Sequence, residues 1–128
     1  MISTLAGLRL LVVEDETLIA FLLQDLLHDL GCVVIGPAGN VRSALAHLES
    51  AEIDAAILDI NLGRGERSYP VADVLMARKT PFVFITGYGA GGVEERFKHI
   101  PVLQKPFAND DLTRVLCQHL LPGCAAKL

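Results

Sequence analysis

Four short runs in this chain each stop on residues able to do chemistry. Leu10 to Val13 stops at Glu14 and Asp15, Ala55 to Leu58 at Asp59, Phe82 to Ile85 at Thr86, and Val102 to Gln104 at Lys105. Three carboxylates, one hydroxyl and one ammonium together suit a phosphoryl group. Three acids held close repel and raise one another's pKa unless a cation sits among them. With oxygen donors only, and neither His nor Cys beside them, that cation reads as Mg²⁺, with Mn²⁺ as a substitute. Lys105 would neutralise a second face of the phosphoryl group, and the Thr86 hydroxyl would donate to a third oxygen. Phosphoryl transfer asks mainly for such positioning and charge stabilisation. Asp59 is the natural nucleophile, since a carboxylate can accept a phosphoryl group as an aspartyl phosphate.

These residues are far apart in the chain, so the fold must assemble them. Strand and helix signals alternate throughout, which predicts a parallel sheet with helices on both faces. Short apolar runs ended by glycine or polar residues read as buried parallel strands. The strands expected are Leu10–Val13, Cys32–Ile35, Ala55–Asp59, Phe82–Thr86 and Val102–Gln104. In a parallel sheet all their carboxyl ends share one edge, where open α/β sheets gather ligands.

Helices are expected from Thr17 to Leu30, closed by Gly31, and after Asn40 as N-cap. A third is expected from Pro70. The fourth is shortened to one or two turns around Val93–Phe97, because glycines stand at 87, 89, 91 and 92. The last begins near Asn109 and is stopped by Pro122-Gly123. The fold class predicted is α/β, a flavodoxin-like (βα)5 doubly wound sheet of order 2-1-3-4-5. The expectation is a single domain over 1–128, with its core at about 9–121 and a short tail at 122–128.

Composition narrows the function. The chain has 128 residues, 52% hydrophobic and 20% charged, with a net charge of −4. No basic stripe is present to neutralise phosphates, which argues against direct nucleic-acid binding. Neither a secretory signal nor a membrane-spanning run is visible. Cys32, Cys117 and Cys124 lack C-x-x-C spacing and read as thiols of a reducing compartment, so a cytoplasmic location is expected.

The stretches LLVVEDE, ILDINL, FITGYG and LQKPF, in this order, resemble the receiver domain of bacterial two-component response regulators over about Arg9 to Leu121. The resemblance implies that Asp59 is the phosphoacceptor and Asp15 a direct metal ligand, with Glu14 acting through water. It implies that the backbone carbonyl of Asn61 completes the metal shell. Thr86 would be the switch hydroxyl, and Lys105 the lysine that precedes a cis proline, Pro106. The phosphoryl group would come from a sensor histidine kinase or a histidine phosphotransfer protein.

Two positions depart from the family pattern. Val102 stands where receivers usually carry Tyr or Phe, and the segment Gly87 to Gly92 is rich in glycine. Both features, with PFVFITGYG, resemble the atypical "FAT GUY" subgroup of mostly stand-alone receivers. Tyr88, within two residues of Thr86, is the expected replacement for the missing aromatic. With no effector following Leu121, output would come from binding a downstream protein or from acting as a phosphate sink or relay. The shortened fourth helix weakens one common dimer face, so a monomer or a weak dimer through the first and last helices is expected.

Competing readings are weaker. A haloacid-dehalogenase-like phosphatase would need an acid two residues after Asp59, where Asn61 stands and cannot act as general acid. A phosphorylation-independent binding module of receiver shape is the main alternative, and Val102 leaves it open. Taken alone, Glu14-Asp15-Glu16 would simply favour the first helix's N-terminus. Gly36-Pro37-Ala38-Gly39 reads as a turn, the four histidines as surface or helix-face residues, and Arg64 and Arg67 as loop charges near Asp59.

Overall fold

The computed structural model describes residues 5–87 and 93–120. Strands β1 (Arg9–Val13), β2 (Val33–Ala38), β3 (Ala55–Asp59), β4 (Phe82–Thr86) and β5 (Val102–Gln104) form one parallel sheet. Its order is β2-β1-β3-β4-β5, as the alternation of elements predicts. The helices are α1 (Thr17–Asp29), α2 (Val41–Ser50), α3 (Tyr69–Ala77) and α4 (Asn109–Leu120). The shortened fourth helix is a single 3-10 turn, Glu95–Phe97. Tyr88 and the proposed stop at Pro122-Gly123 lie outside the described residues.

The central strands bury both faces, and their alternate side chains feed two separate cores. Leu10, Val12, Ile57, Val83 and Ile85 meet Leu23 and Leu27 of α1 and Leu112, Leu116 and Leu120 of α4. Leu11, Val13, Leu58, Phe82 and Phe84 meet Ala44 and Leu48 of α2, Val71 and Leu75 of α3, and Phe97. Each fully buried Leu, Ile or Val on these faces contributes about 1.5–3 kcal/mol of transfer free energy. Burial on both sides is why β1, β3 and β4 read as unbroken apolar runs.

β2 corrects the sequence reading. It runs Val33–Ala38 and includes Gly36, Pro37 and Ala38, which were expected to form a turn. β2 is an edge strand, so the missing proline N–H breaks no ladder on a second side. Gly36 adopts φ +97, and the register with β1 shifts between Leu11 and Val13. The strand therefore absorbs the Gly-Pro pair as a local irregularity. α3 likewise begins one residue earlier than expected, at Tyr69, with Pro70 in its first turn.

Candidate functional site

The strand register sets the site. Val13 pairs with Leu58, Asp59 with Ile85, and Thr86 with Gln104. The residues that follow β1, β3 and β5 therefore emerge level with one another. Asp15, Glu16, Asp59, Asn61, Gly63, Gly87 and Lys105 line one open pocket at this edge. Glu14, Asp15 and Asp59 each place a carboxylate oxygen within 4.8 Å of the others.

Lys105 is the hub. Its Nζ lies 3.0 Å from Asp59 Oδ2, 3.1 Å from Glu16 Oε1 and 2.9 Å from Glu14 Oε1. It is placed by the end of β5, where its backbone N–H donates to the Thr86 carbonyl at 2.8 Å. The following Lys105–Pro106 peptide is cis. Burial works against the Lys105 charge, but the carboxylates of Glu14, Asp59 and Glu16 around it outweigh burial and hold the ammonium above the ordinary lysine range.

Glu14 carries the electrostatic tension of the site. It is buried, and burial pushes its carboxyl up to about 7, against the opposing pull of Lys105 and the Glu16 N–H. Its Oε1 contacts Lys105 as an ion pair but accepts no aligned hydrogen bond. A buried carboxylate is costly to keep ionised in a native protein even when it is paired. Beside two further carboxylates it offers the all-oxygen donor set that a hard divalent cation takes. The residues present thus fit such an ion, and Glu14, Asp15 and Asp59 are the ones able to hold it.

Asp59 is held at both oxygens, since Oδ1 accepts from the Asn61 N–H at 3.2 Å and Oδ2 from Lys105. Asn61 does more than offer a carbonyl. Its Oδ1 accepts from the Gly63 N–H at 3.0 Å, and the residue bridges to Arg67 across a tight loop. Arg67 therefore helps close the loop after Asp59, and Arg64, at φ 53, forms its turn.

Thr86 ends β4 as expected and is buried, one residue before Gly87 of the pocket. Val102 is half-buried against the aromatic side of the sheet. The same side of the sheet carries an aromatic cluster. Tyr69 stacks on Phe97 at 5.3 Å between centroids and meets Phe84 edge-on, while its hydroxyl accepts from the Glu94 N–H at 3.1 Å. Arg96 covers the Phe97 ring at 4.6 Å and bridges to Asp73 and Glu94.

Three features escaped the sequence reading: Glu16 as a partner of Lys105, Tyr69, and Gly63. At Gly63, φ is +81 and an added Cβ would lie 3.0 Å from Asp15 Oδ2, so glycine keeps the acid pocket open. The glycine-flanked loop was visible in the sequence; its approach to Asp15 was not.

A model of the response regulator receiver domain matches residues 10–116. Among curated proteins, the phyllosphere-induced regulator PhyR of Methylorubrum extorquens is 33% identical over 115 residues, covering 88% of this chain and 43% of that protein. The transcriptional regulatory protein PdtaR of Mycobacterium tuberculosis is 29% identical over 107 residues, covering 81% of this chain and 52% of that protein. This chain spans about half the length of these curated relatives or less. Among solved structures, SdrG from Sphingomonas melonis Fr1 is 49% identical with a TM-score of 0.77, covering 90% of this chain and 96% of that one. A BeF3-activated conformation of SdrG matches with a TM-score of 0.74. No helix among the described residues is long and apolar enough to cross a membrane.

Proposed function

The chain belongs to the response regulator receiver domain family, and from that premise we propose that it accepts a phosphoryl group on Asp59 and signals by binding another protein. The observation that carries this reading is Asp59 Oδ2 at 3.0 Å from Lys105 Nζ, at the edge of a pocket that Asp15 also lines. The donor would be a phosphohistidine of a sensor kinase or of a phosphotransfer protein. An Asp59 oxygen attacks phosphorus, an O–P bond forms, the N–P bond breaks, and the imidazole leaves with the electron pair. Lys105 binds an oxygen of the transferring group and offsets its charge. Mg²⁺, when bound, would neutralise the remaining phosphoryl charge. Asp15 and Asp59 would ligate it directly, Glu14 through water, and Asn61 through its carbonyl.

Thr86 is the proposed switch. It sits buried one residue before Gly87 of the pocket wall, where its hydroxyl would donate to a phosphoryl oxygen. The PFVFITGYG stretch and Val102 support the "FAT GUY" subgroup. The donor surface is proposed beside the pocket on α1, where Leu18, Phe21 and Leu22 are 69%, 68% and 58% exposed. Three large apolar side chains on the helix that starts at the pocket suit an apolar helical partner. The setting is the cytoplasm, and output as a regulator or as a phosphate sink or relay follows from the same chemistry.

Intact mass after incubation with a small phosphodonor tests the proposal. One phosphoryl adduct that requires Mg²⁺ and disappears in Asp59→Asn is expected. No adduct from either a small donor or a phosphorylated histidine phosphotransfer protein would favour the phosphorylation-independent module instead.

A further inference from the structure

Glu16 holds the N-cap position of α1 with an extended backbone. A capping side chain ordinarily accepts from the helix's first free N–H groups, yet the Glu16 carboxylate makes no such bond. It reaches across the sheet edge instead, and its Oε1 lies 3.1 Å from Lys105 Nζ, between residues 89 apart in the chain. Its backbone is fixed on both sides. The Glu16 N–H donates to Glu14 Oε2 at 3.0 Å, and its carbonyl accepts from the Ala20 N–H at 2.9 Å.

Three carboxylates surround the Lys105 ammonium, and two of them change during the proposed reaction. Asp59 gives up an oxygen to phosphorus, and Glu14 belongs to the proposed metal set. Glu16 keeps its whole carboxylate through both events. We propose that Glu16 is a positioning residue that keeps the Lys105 ammonium at the pocket before and after Asp59 changes charge. The reaction it serves rests on the receiver reading, while the contact itself does not.

The pair joins a lysine whose side chain is 14% exposed to a carboxylate that is 62% exposed. Solvent screens such a pair, so its effect is one of aim and is modest in size. Glu16→Ala should slow phosphorylation roughly fivefold at saturating phosphodonor and Mg²⁺, the upper end for an exposed ion pair. Glu16→Gln, which keeps an oxygen acceptor, should fall between Glu16→Ala and wild type. In a Lys105→Ala background, Glu16→Ala should slow the reaction no further.

A second readout needs neither metal nor phosphate. Acetylation of Lys105 by an activated acetate ester, followed by peptide mass in metal-free protein, should rise roughly threefold in Glu16→Ala. Lys98, which pairs with Glu95 instead, should react unchanged. Unaltered Lys105 acetylation, or equal slowing of the Lys105→Ala protein by Glu16→Ala, would overturn the inference. If wild type takes up no phosphoryl group, the phosphoryl-transfer proposal fails, and the acetylation ratio still decides the Glu16 contact.

Discussion

The same strands carry two kinds of order along their length. In their interiors, Ile57, Leu58, Val83 and Phe84 are fully buried among apolar neighbours, and Ile57 and Leu58 pair in parallel register with Val83 and Phe84. At their carboxyl ends, Glu14 and Asp59 are also buried, but beside one another. The interior gains stability from burial, whereas the edge spends part of it. Burial of Glu14 opposes its ionised form, and Lys105 compensates only in part. Concentrated negative charge of this kind is what a divalent cation can relieve, so stability is given up where the carboxylates gather.

The sharpest way to break this contrast is substitution on either side of it. Ile57→Ala should lower stability by about 2–5 kcal/mol, because it removes buried methylenes and leaves a cavity. Denaturant melts at constant m-value would measure it, and a loss near zero would contradict the close-packed, buried interior described for β3.

Glu14→Gln should act with the opposite sign. The Glu14 carboxyl is raised to about 7 in the fold, against 4.5 for its ordinary value. Between those values the folded chain holds a proton that the unfolded chain has released, so metal-free stability falls as pH rises from about 4.5 to 7. The Lys105 contribution is constant across this window, because its pKa is raised from an already alkaline 10.5. Thermal melts should therefore show wild type losing stability on that rise. Glu14→Gln should show a flatter profile and exceed wild type at pH 8 by on the order of 1–3 kcal/mol. A steeper profile in the variant would reverse the assignment.

A smaller effect probes the aromatic side. Tyr69→Phe keeps the stack on Phe97 and removes only the hydrogen bond from the Glu94 N–H, for a loss of about 1 kcal/mol. Hydrogen exchange should accelerate at the Glu94 amide while the β4 amides keep their protection. Uniform acceleration across both would show that the hydroxyl supports the whole sheet.

Much of this was legible because two-sided burial writes itself into sequence. β1, β3, β4 and β5 show as short runs, and their terminal residues lead directly to Asp59, Thr86 and Lys105. β2 was less legible, since Gly36-Pro37 is a turn signal that only an edge position can accommodate. Residues whose roles come from distant partners were not legible. Tyr69 meets Phe97 only once α3 and the 3-10 turn pack on the same face. Glu16 resembles a helix-capping acid until β5 places Lys105 opposite it. Thr86 was found by its position at the end of β4, next to Gly87 of the pocket.

The central claim is that the charged edge forms an acyl phosphate at one residue. Borohydride reduction of the phosphodonor-treated protein, followed by peptide mapping, tests it most directly, because an acyl phosphate is reduced to an alcohol while ester phosphates survive. The account predicts homoserine at position 59 only, formed only when Mg²⁺ is present. Phosphate surviving on a serine, threonine or tyrosine, or reduction at Asp15 or Glu14 in place of Asp59, would contradict it.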